Sequence, residues 1–192
     1  MQPLILASSS IYRRELLAKL NIDFNHHSPE IDETPKPNET PWQLSARLAT
    51  EKAKALAPQY PQSLIIGSDQ VASLNGQQLC KPGNHQQAIK QLELCSGQNV
   101  EFHTSLCLLN SSTGEQQVSV ERYTVCFRKL TTTQIERYLK AEQPYDCAGS
   151  FKMEGLGICL FTSIKGEDPN TLIGLPLIRL VEMLDNEGIH IP

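Results

Sequence analysis

Long apolar runs are missing from this chain. The longest are of the size of Leu4 to Ala7 and Ile158 to Phe161, whereas a bilayer-spanning helix needs roughly 20 apolar residues, so no span is expected. The opening MQPLILASSSIYRR has no positively charged leader region and leaves its short apolar run at Ser8, unlike a signal peptide; the cytoplasm is the expected compartment. Positive charge is also scarce, with 17 Lys and Arg against 21 Asp and Glu and a net charge of −4. Without a basic cluster the chain is poorly suited to wrapping a nucleic-acid polymer, although a few placed cations suffice for one small anion. The six cysteines, at 80, 95, 107, 126, 147 and 159, form no C-x-x-C pair and no zinc-knuckle spacing. They are expected to be inert thiols rather than disulfides. The five histidines are scattered apart from His26 and His27, which would face opposite ways on a strand; a histidine metal site is not expected. Neither G-x-x-x-x-G-K-[ST] nor G-x-G-x-x-G occurs, so no P-loop or Rossmann fingerprint is supported.

What is present reads as a globular α/β chain of 192 residues, 40% hydrophobic and 20% charged. Pro3 to Ala7 predicts a buried strand, and Ser10 caps a helix with Leu16, Leu17 and Leu20 on one face. Asp23 to Ser28 predicts a second strand, and the proline-rich, acidic stretch 29–40 a loop. Thr40, Pro41 and Gln43 open a second helix with a capping box, stopped by Pro58 and Pro61. Ser63 to Leu74 is the strongest strand signal, followed by an Asn75-Gly76 hairpin turn. Asn84 caps a third helix, two long strands are expected at about 98–110 and 116–129, and Thr131 to Ala141 predicts a short helix. A strand is expected at Ile158 to Thr162. Leu175 to Leu184, apolar on nearly every side, predicts a buried closing segment. Alternating helices and strands around a central hairpin give a mixed-sheet α/β fold.

Several residues could carry chemistry. The strand–Ser8-Ser9-Ser10–helix corner with Arg13 and Arg14 suits an anion, because a helix N-terminus offers N–H groups and a partial positive charge; it equally describes an ordinary serine cap. Asp69 interrupts an apolar strand beside Gly67 and Ser68, where a carboxylate is costly unless it has partners or a task. Water activation or binding of Mg²⁺ would be such tasks, and a turn-forming aspartate is the plain alternative. Asp32 and Glu33 could bring a second carboxylate, although alone they read as a solvated loop. Lys52 and Lys81 matter only if they converge with Ser8 and Arg13 on one phosphate chain. Glu154, in a glycine-flanked turn, could accept two N–H bonds from a base edge or lie at the surface.

In order, these pieces resemble the Maf family of nucleotide pyrophosphatases nearly end to end: LILASSSIYRRELL at 4–17, DET at 32–34, RLATEKA at 47–53, IIGSDQV at 65–71, CKP at 80–82, FHTSL at 102–106, DCAGSFKMEG at 146–155 and GEDPNTLIGLP at 166–176. The resemblance implies one domain over 1–192, with a mixed, strongly bent central sheet flanked by helices and a cleft between two lobes, an architecture shared with inosine triphosphatases. It implies hydrolysis of a nucleoside triphosphate to monophosphate and diphosphate with a divalent cation, Mg²⁺, Mn²⁺ or Co²⁺. It makes Asp69 the acceptor of the water proton and puts Ser8, Arg13, Glu33, Lys52 and Lys81 around phosphates and metal, with Glu33 and Asp69 as metal ligands. Arg13 rather than Arg14 matches the family's fixed arginine. Two positions depart from its pattern: Ser105 stands where glycine is usual, and Cys80 often corresponds to glycine.

At the three specificity positions, Tyr12, Gln70 and Glu154 resemble the branch that hydrolyses 7-methyl-GTP, which usually carries Trp at the first; the dTTP/UTP branch typically carries Arg, Thr and Gln. Methylated guanine is cationic, and a cation over an aromatic ring gains roughly 0.5–2 kcal/mol. Glu154 accepting guanine N–H groups would add about 1.5–3 kcal/mol. Together these discriminate by about tenfold to several thousandfold. A same-fold enzyme acting on dTTP, UTP or another modified nucleotide, and a nucleotide-sensing regulator of cell division without turnover, are the alternatives. A homodimer is common for such folds; no membrane partner is expected.

Overall fold

A computed structural model describes residues 2–192. Strand β1 (Leu4–Ala7) leads through Ser8 to helix α1 (Ile11–Ala18), whose cap Ser10 accepts the Arg13 N–H. After β2 (Asn25–His27) and an irregular loop, Thr40 and Gln43 form a reciprocal capping box that starts α2 (Pro41–Leu56) with Pro41 in its first turn. Strands β3 (Leu64–Leu74) and β4 (Gln77–Leu79) form a hairpin whose turn puts Asn75 and Gly76 at φ 51° and 79°, the left-handed pair that a type I′ turn requires. Helix α3 (His85–Cys95), β5 (Asn99–Asn110), β6 (Gln116–Phe127), α4 (Thr132–Glu142), two 3₁₀ turns (Ala148–Ser150 and Leu156–Leu160), β7 (Phe161–Lys165), α5 (Pro169–Ile173) and α6 (Leu177–Asn186) complete the chain. The strands are ordered β2-β1-β3-β5-β6-β7, with β4 on β3. β1 runs parallel to both β2 and β3, and β7 antiparallel to β6, so the sheet is mixed.

The chain forms two compact units. The first comprises Met1–Gln70, Thr104–Glu121 and Asp168–Pro192, the second Val71–His103 and Arg122–Glu167. In the first, the period-2 alternation of strands sorts the core into two layers. Leu4, Leu6, Leu64 and Ile66 pack with Leu16 and Leu17 of α1 and with Leu180 and Leu184 of α6. On the other layer Ile5, Ala7 and Ile65 meet Ala49, Ala53 and Leu56 of α2. Because β1 is covered on both faces it reads as an unbroken apolar run. In the second unit, Phe102, Phe127, Phe151 and Phe161 stack edge to face with centroids 4.8–6.0 Å apart.

Three sequence-based expectations change. The strand expected at Ile158 to Thr162 begins at Phe161, where pairing with Phe127 starts; Leu156–Leu160 is a 3₁₀ turn. The Gly157 N–H reaches back to the Lys152 carbonyl at 3.0 Å, and this tight return coils the apolar residues that follow. The closing helix is amphipathic rather than apolar all round: Leu180 and Leu184 are buried, while Ile178 is 56% exposed. Helix α5, capped by Asp168 with Pro169 at its start, is an additional element inside what reads as connecting chain. The six cysteines are free thiols, as expected, and no helix among the described residues is long and apolar enough to cross a membrane.

Candidate active site

In the first unit the parallel strands β1 and β3 end at Ala7 and run on past Gly67, with Ser8 and Asp69 just beyond their last paired residues. Ligands of open α/β sheets bind at such carboxyl ends. Gly67 decides what meets Asp69. A Cβ at Gly67 would stand 2.0 Å from the Ala49 carbonyl oxygen and 2.9 Å from the Ala53 nitrogen, so only glycine lets α2 lie this close to β3. That approach brings Lys52, one turn along α2, onto Asp69.

The Lys52 Nζ donates to Asp69 Oδ1 at 2.6 Å and lies 2.8 Å from Glu33 Oε1. Lys52 and Asp69 are buried, while the Glu33 side chain is 59% exposed. Burial pushes the Asp69 carboxyl above its ordinary value, with Glu33 pushing the same way; Lys52, through charge and hydrogen bond, and Arg13 offset part of this. A carboxylate so placed is a stronger base than a solvated one. Arg13 is half-buried, and burial lowers its guanidinium from its ordinary value against the pull of Asp69 and Glu33; it still carries its charge at neutral pH.

Arg13 is aimed by backbone. Its Nε–H donates to the Gly174 carbonyl at 2.8 Å, and Ser68 Oγ–H donates to the same oxygen at 2.9 Å. Its Nη1 lies 3.5 Å from Ser8 Oγ, which also accepts the Ser10 N–H at 3.1 Å. The corner therefore offers a hydroxyl, a guanidinium and a helix N-terminus, an arrangement suited to phosphate oxygens.

Glu33 is held through its loop. Arg47 on α2 donates to Glu39 at 2.6 and 2.8 Å, to Glu51 at 2.9 Å and to the Thr34 carbonyl at 3.0 Å. Arg47 is not singled out in the sequence reading; its i,i+4 spacing to Glu51 beside an acidic loop is the signal that could have found it. Arg47's hydrogen bonds hold the Glu39 carboxyl at about 2 against an ordinary 4.5. A carboxyl depressed on folding stabilises the fold fully above its ordinary value, and that contribution fades as pH falls through the folded value. Wild type is therefore expected to lose about 1–3 kcal/mol through this pair between roughly pH 4.5 and 2. Urea titrations at stepped pH should show that slope, and Glu39→Gln should flatten it.

Tyr12 is half-buried on α1. The amide nitrogen of Gln70 donates to Thr104 Oγ1 at 2.9 Å and to the Thr171 and Leu172 carbonyls at 3.0 and 3.1 Å, which commits its donors. Lys81 and Glu154 belong to the second unit: Lys81 is exposed in the loop after β4, and Glu154 is exposed in the turn before Leu156. Cys80, beside Lys81, is likewise exposed. Ser105, by contrast, is fully buried; its Oγ–H donates to Ser45 Oγ at 2.7 Å, and Ser45 donates to the Trp42 carbonyl at 3.0 Å. The Ser105 hydroxyl thus has its partner supplied by α2. Ser45→Ala, which strands the Ser105 donor, is expected to cost about 1–3 kcal/mol, and Ser105→Ala less than about 1 kcal/mol. Equal losses in urea unfolding would contradict this asymmetry.

Among the described residues no three His, Cys, Asp or Glu side chains converge on a point. Two carboxylates do: Glu33 and Asp69 meet at Lys52 Nζ. Mg²⁺ and Mn²⁺ are hard cations that use one or two carboxylates and complete their shells with substrate phosphates and water; the two carboxylates have the oxygen donors such an ion takes, while the point where they meet is held by the Lys52 ammonium.

A buried acid–amine pair thus lies at a strand end beside a guanidinium and a hydroxyl, groups of the kind that hold phosphate oxygens, in an α/β protein. The chain belongs to the Maf-like protein family, whose sequence pattern matches residues 3–187. It is 59% identical over 192 residues to a 7-methyl-GTP pyrophosphatase of Pseudomonas savastanoi, covering 100% of both chains. A protein of the same name from Alcanivorax borkumensis is 57% identical over 189 residues, covering 98% of this chain and 96% of that one. The fold is shared with the Ham1 protein of Staphylococcus aureus, with a TM-score of 0.56 at 13% identity over 97% of this chain and 100% of that chain.

Proposed function

We propose that this protein hydrolyses 7-methyl-GTP to 7-methyl-GMP and diphosphate in the cytoplasm. The observation that carries the chemistry is the buried Asp69 carboxylate, held by Lys52 at 2.6 Å and raised above its ordinary value by burial. The methylated guanine is favoured by the names of relatives matched along nearly their whole length and by the resemblance of Tyr12, Gln70 and Glu154 to the corresponding specificity set, with tyrosine in place of its usual tryptophan.

In the reaction, Asp69 accepts a proton from water, the water oxygen joins phosphorus, and the α–β anhydride bond breaks to release diphosphate. Ser8 and Arg13 hold phosphate oxygens, while Lys52 and Lys81 neutralise charge on the departing diphosphate. Tyr12 stacks on the cationic base, and Glu154 accepts its N–H groups. Glu33 and Asp69 would hold a divalent cation, Mg²⁺, Mn²⁺ or Co²⁺, which when bound draws negative charge off the phosphates. Positioning and electrostatics supply most of the rate.

Diphosphate release across 7-methyl-GTP, GTP, dTTP and UTP, with and without EDTA, tests the reading. The methylated nucleotide is expected to lead in kcat/KM by at least about tenfold, with EDTA abolishing turnover. Preferential turnover of dTTP or UTP would move the chain to the pyrimidine branch. Tight binding without diphosphate release would make it a sensor.

A further inference from the structure

Ser150 is fully buried, yet its backbone sits at φ 58°, in the left-handed region that a non-glycine residue rarely occupies. Its neighbour Gly149 is at φ 78°. Strain of this kind persists only where the surroundings impose it, and it concentrates where function needs a fixed geometry. The Ser150 hydroxyl donates to Gln91 Oε1 at 2.5 Å, and the other end of that amide, Gln91 Nε2–H, donates to the Cys80 carbonyl at 3.0 Å. Cys80 is bonded to Lys81. Two residues further on, the Gly83 N–H donates to the Tyr145 carbonyl at 2.8 Å. The exposed loop that carries Lys81 is therefore gripped on both sides, and all of these residues lie in the second unit.

We infer that Ser150 and Gln91 are positioning residues for Lys81: the left-handed turn at Gly149-Ser150 aims a hydroxyl at Gln91, which fixes the Cys80 carbonyl and with it the direction in which Lys81 leaves the backbone. This deepens the reading above and rests on it, because it requires that Lys81 act on the diphosphate. The alternative is that the Ser150–Gln91 bond only stabilises the fold.

The two possibilities differ in measurable ways. Ser150→Gly removes the hydroxyl and relieves the positive φ, so the melting temperature should hold or rise while kcat for diphosphate release falls between about tenfold and a hundredfold, the cost of a misplaced charge near 1 Å. Ser150→Asn tolerates the left-handed backbone and keeps an N–H donor, and should restore most of kcat. Gln91→Ala breaks the same relay from its other end and covers the case in which the glycine variant does not fold. In a Lys81→Ala background neither Ser150→Gly nor Gln91→Ala should lower kcat further. A further loss of the same size in that background, or wild-type kcat in both single variants while Lys81→Ala is impaired, overturns the inference alone. Full activity of Lys81→Ala overturns the assignment of Lys81 and the inference together.

Discussion

Asp69→Asn is expected to lower diphosphate release by about 10²–10⁴-fold, the range that a positioned base contributes, with the nucleotide still bound. The substitution preserves shape, and the amide oxygen can still accept from Lys52, which remains 2.8 Å from Glu33. What disappears is the proton acceptor. Since burial is the main cost of the ionised carboxylate here, the neutral amide should leave the melting temperature unchanged or slightly raised. Single-turnover kinetics with binding measured separately checks both halves. A loss below about tenfold would remove Asp69 from the base role.

Among the glycines of the first unit, Gly67→Ala should produce the largest structural effect. The new Cβ would meet backbone atoms of Ala49 and Ala53, and backbone cannot swing aside as a side-chain end can. Helix α2 must retreat from β3, opening the layer in which Ile65, Ala49 and Ala53 pack. Overpacking of this kind costs about 1–3 kcal/mol and occasionally more; with main chain as the obstacle, the upper end is expected. The same retreat lengthens the contact of Lys52 with Asp69, so kcat should fall in the molecules that remain folded. Urea unfolding and turnover measured on the same preparation test both effects. Unchanged stability would mean that α2 accommodates the methyl without moving.

Much of the architecture is legible in the sequence because it rests on local chemistry. Capping boxes at Thr40 and Thr131, the Asn84 cap and the Asn75-Gly76 turn are written in adjacent residues. The misplaced strand at Ile158 follows from a signal that periodicity cannot resolve, since a short apolar run suits a strand and a turn of helix alike. Ser8, Arg13, Lys52 and Asp69 are legible as candidates, because each is a polar residue set against an apolar or helical pattern. The Lys52–Asp69 contact is not, since it depends on the absence of a side chain at Gly67. Gly174 is silent in the sequence for a related reason: its working atom is a backbone carbonyl, which every residue possesses.

That carbonyl has a mechanical consequence. An oxygen of this type has two lone pairs, and at Gly174 one is taken by Arg13 and the other by Ser68, the residue directly before Asp69. The Arg13 guanidinium and the strand bearing Asp69 are therefore tied to one atom. A shift of that carbonyl would carry both groups with it instead of moving either by itself.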